Sequence, residues 1–447
     1  MKRNWLVAVV MMLALLAGPV ARAADDQAAQ SYTGPEYAAF NAAVNEKDAT
    51  QRVKLLDDFV AKYPKSTLLP YVFQSYFLAY SELRNYIQVM AYCDKLLTLG
   101  DAVDALQGLG LARLQALELR GRVFFLALGQ RQLTTNDQYT SARDSANLGL
   151  KFLADRKKPE GLTDEQFAQQ NTSLKSLFFS VNGFASSQVK DFKAAADAFR
   201  SALAISPNDA ALHYRLGLSS LQQDPPQQMD GYWEIARAIA LKVQGEAQVR
   251  NYLKSQLNKY QLPTCDALLE AQLNELIALA GTAAERPANF KIPSRAELDT
   301  VMQGATVDVI LNDLKGGGDR AKIVWLAVCG AEFPELGGKV FEVADGENGA
   351  VILKLFTAAK EEELEAGTAP NMQVHVEGQP AAKRLKKDDI IAYAATLKSF
   401  TPDPFMIQLE KGKVREDTLP PEATAPSKKA PPKKAPAKRP PTKRPPA

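Results

Sequence analysis

The chain has 447 residues, with 54 basic and 51 acidic side chains, two histidines and three cysteines. This length accommodates two or three domains, and so few scattered cysteines exclude the disulfide framework of small secreted domains. It contains no HExxH zinc pair, GxSxG elbow, CxxC pair or GxxxxGK[ST] phosphate loop. The common signatures of metal-dependent, serine-dependent and nucleotide-dependent enzymes are therefore missing from the sequence.

The first 23 residues have the pattern of a secretory signal peptide. Lys2 and Arg3 precede an apolar run from Trp5 to Ala17, and Ala-Arg-Ala follows at 21–23. An uncleaved membrane anchor is the alternative, but the run is shorter than the about 18 to 20 residues that a span needs. We expect cleavage after Ala23 and a periplasmic or secreted protein without a transmembrane span.

Residues 24–287 have a helical pattern throughout most of their length. Apolar side chains recur at spacings of three and four residues from about residue 33 to 285, with interruptions such as Pro64, Gly100 and Pro207. The segment predicts an α-solenoid of roughly ten to thirteen helices. An irregular helical bundle is the alternative that the pattern leaves open.

Two consecutive segments of this region, 176–209 and 210–243, match each other at a spacing of 34 residues. Gly183 pairs with Gly217, Phe199 with Trp233 and Ala202 with Ala236. The spacing and residue types resemble the tetratricopeptide repeat, in which small residues allow two helices to approach and an aromatic residue fills the space between units. The residues assigned to repeat packing are Gly183, Ala195, Phe199, Ala202, Pro207, Gly217, Trp233 and Ala236.

The resemblance implies a groove for a protein or peptide partner, lined by the first helix of each unit. The candidate groove residues are Asn182, Ser186, His213, Arg215 and Ser220. His213 has an alternative interpretation as a half-buried packing residue. The identity of the partner does not follow from the resemblance.

The pattern changes to short strands toward the C-terminus. Residues 288–321 read as a linker with short helices, and residues 322–415 alternate apolar and polar side chains in five strands, which predicts a small closed barrel. The order of these elements weakly resembles the oligonucleotide/oligosaccharide-binding (OB) barrel. Its candidate ligand face comprises Tyr393, Lys398 and Phe400.

Residues 416–447 are expected to form a disordered tail. After Glu422 they hold eight Lys or Arg side chains and no acidic one, whereas the body between signal and tail has 43 basic and 51 acidic residues. Such a tail can simply keep the protein soluble, attach it electrostatically to an anionic surface of the envelope, or fold back on the acidic body.

The sequence favours a non-enzymatic exported scaffold without catalytic residues, metal or cofactor. The alternative is an envelope carbohydrate-binding or assembly factor whose ligand is held by the barrel. A hydrolase that uses only carboxylates is a third hypothesis. Nucleic acid is not an expected partner, because the barrel has few basic residues beside exposed aromatics and the chain has an export signal. All three cysteines are expected to be small buried side chains.

Overall fold

A computed structural model describes residues 32–100, 113–261, 265–358 and 360–421. The signal-peptide prediction for residues 1–23 and the tail prediction from residue 422 onward lie outside these ranges. The prediction that the disordered tail begins at residue 416 is wrong, because Glu416–Thr418 form a short 3-10 helix and the Pro420 carbonyl accepts from Arg384 Nη2 at 3.0 Å. The described chain is mostly helical and ends in a closed five-stranded barrel, which confirms the predicted fold class. Two compact units divide it: a helical unit, with residues up to Leu257 and Ala271–Ile292, and a barrel unit, with Asn258–Glu270 and residues from Pro293 onward.

Twelve helices precede residue 285 within the described ranges, inside the predicted ten to thirteen. They are α1 Gly34–Asn45, α2 Ala49–Lys62, α3 Leu69–Glu82, α4 Tyr86–Thr98, α5 Arg113–Gly129, α6 Asn136–Asp155, α7 Asp164–Gln188, α8 Phe192–Ile205, α9 Ala210–Leu221, α10 Gln228–Ala240, α11 Glu246–Gln261 and α12 Asp266–Thr282. Consecutive helices pack against each other through most of the series.

Local sequence explains where these helices begin. Thr163 starts α7 with a capping box, in which its hydroxyl accepts from the Gln166 amide and the Gln166 side chain accepts from the Thr163 amide. Asp191 and Asp209 cap α8 and α9 in the same position, each accepting from backbone amides of the first turn. These side chains satisfy amides that have no partner within the helix.

The turn between α7 and α8 also occurs between α3 and α4. Lys190 and Arg84 have positive φ angles of 65° and 52°, and each precedes a capping residue, Asp191 or Asn85. The amide of the capping residue donates to a carbonyl five residues earlier, at 2.9 Å in one turn and 2.8 Å in the other. The same backbone geometry therefore joins both helix pairs.

An ion pair between a buried arginine and a partly exposed aspartate connects three helices of the helical unit. Arg120 on α5 has a side chain only 3% exposed, and it donates to both carboxylate oxygens of Asp94 on α4, at 2.6 and 3.0 Å. Its Nη2 also donates to Ser141 on α6 at 2.8 Å. A bidentate pair of this kind compensates the loss of hydration of the buried guanidinium.

The barrel unit consists of three helices, the five strands and a one-turn helix. The helices are α13 Arg295–Met302, α14 Val307–Gly316, α15 Gly318–Val328 and α16 Glu361–Leu364, and the strands are β1 Glu332–Asp345, β2 Val351–Phe356, β3 Met372–Val376, β4 Ile390–Pro402 and β5 Phe405–Val414. The strands close in the order β1-β2-β3-β5-β4, with β3 and β5 parallel and the other pairs antiparallel. Inward apolar side chains alternate with outward ones along β2 and β3.

The segment predicted as a linker, 288–321, differs from that expectation. Ile310 and Leu314 on α14 are buried in the same apolar cluster as the interior of the barrel, together with Val324 and Trp325 on α15. The short helices thus belong to the core of the barrel unit. Their amphipathic pattern was visible in the sequence, but the surface that they cover was not.

The expectation of three unpaired cysteines is wrong. Cys265 and Cys329, 64 residues apart, form a disulfide with a Cα–Cα distance of 5.5 Å, and Cys93 is a free, buried thiol on α4. The bridge links the start of α12 to the residue after α15, within the barrel unit. Their long separation explains why spacing alone does not predict the pair.

Candidate functional site

The residues assigned to repeat packing lie in the interior, with one exception. Gly183 on α7 faces the ring of Phe199 on α8, and a Cβ atom on this glycine would be 2.6 Å from the Phe199 Cε1. Ala195, Ala202 and Phe199 are fully buried in one cluster. Pro207 is exposed at the end of α8, where its carbonyl faces the Nε2 of His213 at 2.9 Å.

The second unit packs its helices through different side chains. A Cβ on Gly217 would be 2.6 Å from Cγ1 of Ile235, so Ile235 takes the place that Phe199 has in the preceding unit. Trp233 is buried and packs edge-on against Phe290, with ring centroids 5.7 Å apart. Ala236 is buried beside them on α10. The two units share their small residues but not their aromatic contact.

Three of the five candidate groove residues are buried, so their assignment to an open groove is wrong. Ser186 and Ser220 are fully buried, and His213 is 6% exposed. Their positions on the helix surface depend on which helices pack beside them, and the sequence does not show this. The structure brings Asn182 and Ser186 together through a hydrogen bond, and it places the other three candidates elsewhere.

His213 connects the turn before α9 to α10. Its Nδ1 contacts the Glu234 carboxylate and its Nε2 contacts the Pro207 carbonyl. Both ring nitrogens of His213 therefore have a partner within the helical unit. This arrangement holds the turn in place, and it leaves neither ring nitrogen available as a catalytic base.

Arg215 on α9 contacts Phe184 on α7. Its guanidinium is 4.8 Å from the centroid of the Phe184 ring, which in turn packs edge-on against Phe125 of α5 and Phe199 of α8. A guanidinium over an aromatic face is a favourable contact that covers the ring. Arg215 is therefore engaged with the helical unit itself.

A groove between α6, α7 and α8 contains the remaining candidate, Asn182. We refer to it as the α6–α8 groove, and its volume is about 620 Å³. This size falls within the range of sites that hold small ligands or short peptide segments. Its lining comprises Arg143, Asp144, Asn147, Leu150, Phe179, Asn182, Asp191, Ala194, Asp197, Ala198 and Ser201.

A chain of hydrogen bonds joins α7 to α6 at the α6–α8 groove. Ser186 donates its hydroxyl to Asn182 Oδ1 at 3.0 Å, and Asn182 Nδ2 donates to Asn147 Oδ1 at 2.6 Å. These bonds fix the orientation of the Asn182 amide and hold the Asn147 carbonyl oxygen toward it. Asn147 is exposed, and this orientation leaves its Nδ2 as a donor at the solvent side of the chain.

The charged side chains of the groove are mostly carboxylates. Arg143 lies between Asp144 and Asp191, at 3.5 and 3.7 Å, and these two aspartates are 64% and 47% exposed. Asp197 is paired with Arg200 at 2.8 Å. The guanidinium of Arg143 serves both aspartates at distances longer than good hydrogen bonds, and Asp191 Oδ1 also accepts from the Ala194 amide. Both carboxylates keep exposed surface that a further cation can approach.

The candidate ligand face of the barrel is also different from the prediction. Tyr393 is 1% exposed and shares a 2.8 Å hydrogen bond with the buried hydroxyl of Thr357, so it belongs to the interior of the barrel. Phe400 packs against Trp325 with ring centroids 4.9 Å apart. Lys398 remains at the surface, 3.5 Å from Glu410. Alternation along β4 was predicted correctly, but Tyr393 lies on its inward face, whereas Lys398 lies on its outward face.

Two further features bear on the class of function. Among the described residues, no group of three His, Cys, Asp or Glu side chains is placed to hold a metal ion. Within the same ranges, no helix has the length and apolar character needed to cross a membrane. A comparison with protein-family models finds no family that matches this chain, and a comparison with curated proteins finds no similar one.

Sequence reasoning missed Asn147, Asp144 and Asp191 as parts of the groove. Asn147 precedes Asn182 by 35 residues, close to the 34-residue spacing of the repeat. That spacing is the one signal that could have indicated the pair. The aspartates carry no such signal, because exposed acidic residues occur along most of the helices.

Proposed function

We propose that the chain is a non-enzymatic, exported scaffold that binds a protein or peptide segment through a helical unit resembling tetratricopeptide repeats. The α6–α8 groove is the observation that carries this proposal. It combines apolar side chains, an oriented amide pair and accessible carboxylates in one open depression. Such a surface suits an extended segment, whose backbone and side chains need both polar and apolar contacts.

Export is supported by two independent features. The first 23 residues have the charge and apolar pattern of a signal peptide, and Cys265 is bonded to Cys329. Stable disulfides form mainly in oxidising compartments such as the periplasm. Both features favour a scaffold that works in the cell envelope.

A library of peptides tests the proposal with the full chain and two matched variants. Ala194 lines the groove on α8, whereas Ala204 is exposed on the same helix outside it. We expect Ala194→Trp to fill the groove and abolish binding of the selected peptides, and Ala204→Trp to leave their binding unchanged. Failure to select any peptide, or equal effects of the two variants, would contradict the proposal.

The barrel supports a second candidate, an envelope carbohydrate-binding or assembly factor. Its topology resembles the OB barrel, whose second and third strands commonly carry the ligand. On the outer face of these strands Lys354 is the cross-strand partner of Gln373, and Gln373 contacts His375 at 3.2 Å. Binding of envelope glycan fragments to the full chain, weakened by Gln373→Ala, would favour this candidate.

A further inference from the structure

Positively charged side chains, which the carboxylates of the α6–α8 groove attract, are abundant in one part of the chain itself. Residues 423–447 contain eight Lys or Arg and eight Pro residues and no acidic residue. The basic residues form pairs at 428–429, 433–434, 438–439 and 443–444, a regular spacing of five residues. The segment therefore offers four nearly equivalent sets of two adjacent positive charges.

We propose that the α6–α8 groove binds this Lys- and Pro-rich segment, residues 423–447, and this inference rests on the proposed peptide-binding function. Asp144 and Asp191 lie on either side of Arg143 and are the carboxylates best placed for a pair of cations. A lysine ammonium or a guanidinium can approach the exposed parts of both carboxylates from the solvent side. Complementary charge at an open surface favours the right partner and speeds its association.

The backbone chemistry of the segment also matches the groove. Proline has a carbonyl acceptor and no amide donor, so a proline-rich chain needs donors from its binding surface. Asn147 Nδ2 is such a donor, because the bond from Asn182 holds the oxygen of the same amide on the other side. An oriented amide donor of this type can bind a backbone carbonyl whichever side chain the residue carries.

The apolar part of the groove suits the proline rings. Phe179 and Leu150 contribute larger apolar surfaces, and Ala194 and Ala198 leave space along α8. Proline-rich segments commonly dock on aromatic surfaces in this way, because their backbone is already extended and loses little entropy on binding. Charge, backbone and ring contacts thus point to the same occupant.

The test uses a labelled synthetic peptide of residues 423–447 and full-length chains. Because the natural segment would compete with the peptide, the host chain has its eight basic residues at 428–444 replaced by Gln. We expect saturable binding to this host, weaker binding to the wild-type chain, and loss of binding as salt shortens the Debye length from about 10 Å at 0.1 M to about 3 Å at 1 M.

Variants of the same host locate the contact. Asp144→Asn/Asp191→Asn should weaken binding about fivefold to tenfold, the range for two exposed ion pairs. Asn is as good a helix cap as Asp, so the second change preserves the start of α8. The double change Asp58→Asn/Asp155→Asn removes the same charge outside the groove and should leave affinity unchanged. Asn147→Ala should weaken binding at every salt concentration.

Several results would overturn the assignment. If both double variants weaken binding equally, the contact is not in the groove. If a Lys/Gly peptide with the same eight charges binds equally well, the proline contacts contribute nothing. If peptide 423–447 binds phosphatidylglycerol vesicles but not the host chain, its partner is an anionic membrane surface. If library peptides bind and Ala194→Trp blocks them while peptide 423–447 does not bind, the occupant is wrong and the proposed function stands. If no library peptide binds, the proposed function itself fails.

Discussion

The ring of Phe199 lies directly against the backbone of Gly183, so that a Cβ on this glycine would approach ring atoms to 2.6 Å. The contact joins α7 and α8. Gly183→Leu should destabilise the helical unit by about 1 to 3 kcal/mol or more, because the ring has no free space to move into. The midpoint of thermal unfolding, followed by helical circular dichroism, measures the effect.

A glycine on a neighbouring helix provides the control for this prediction. Gly129 ends α5 and has open space around its missing Cβ. Gly129→Ala should raise stability slightly, by up to roughly 1 kcal/mol, through helix propensity and chain entropy. Unchanged stability of Gly183→Leu would show that α7 and α8 do not pack closely.

The ion pair between the buried Arg120 and the partly exposed Asp94 gives a second prediction. Asp94→Ala should reduce the free energy of unfolding by about 2 to 4 kcal/mol, because it leaves the guanidinium of Arg120 buried without its carboxylate. The pair of Arg122 and Glu118, on one face of α5, is a control, since Glu118→Ala should cost only about 0.5 kcal/mol. Denaturant titration of both variants measures these changes. Similar losses of unfolding free energy in the two variants would argue against a special role for Arg120.

The disulfide gives a third prediction, for the barrel unit. Cys265→Ser/Cys329→Ser should lower the stability of this unit by about 2 to 4 kcal/mol, because the bridge closes a loop of 64 residues and restricts the unfolded chain. A reductant should lower the unfolding midpoint of the wild type to that of the variant and leave the variant unchanged. A reductant effect on the variant would point to another cause.

Because the remaining thiol, Cys93, is buried, we predict that the stability of the folded chain depends on pH. Burial raises the pKa of Cys93 in the folded chain, whereas an unfolded cysteine ionises near pH 8.5. The unfolded state therefore loses its proton first as the pH rises, and stability decreases above about pH 8.5. Between pH 8.5 and 9.5 the wild type should lose about 1 kcal/mol more than Cys93→Ala, measured by denaturant titration at each pH.

The absolute stability of Cys93→Ala is not the test here, since the smaller side chain leaves a void at α4. The test is how steeply the free energy of unfolding falls with rising pH in the wild type compared with Cys93→Ala. Parallel slopes would mean that the Cys93 thiol is accessible enough to ionise in the folded chain.

Helix pairs could be predicted from the sequence because their signals are local. The apolar spacing around Phe199 and the turn at Lys190 and Asp191 lie within a few residues of each other, and the structure has both features. The alternation of β2 and β3 was equally clear. In each case one helix turn or one strand period contains the information.

The groove could not be predicted in the same way. Ser186 and Ser220 are polar and lie on the expected helices, but the packing of neighbouring helices buries both. Asn147 reaches Asn182 only because α6 packs against α7, and Cys265 reaches Cys329 across 64 residues. Contacts of this kind depend on tertiary packing, which a single sequence does not reveal.

The barrel has a consequence for how it can meet other molecules. Each of its five strands is hydrogen-bonded to a strand on both sides, and β1 pairs with β4 to complete the circle. None of the five strands therefore has an edge that is unpaired along its whole length, although residues 399–402 of β4 pair with β5 alone. Strand addition by a partner or by another copy of the chain is restricted to such short ends. Recognition at the barrel depends on side chains and loops, where single substitutions can change specificity without disturbing the backbone.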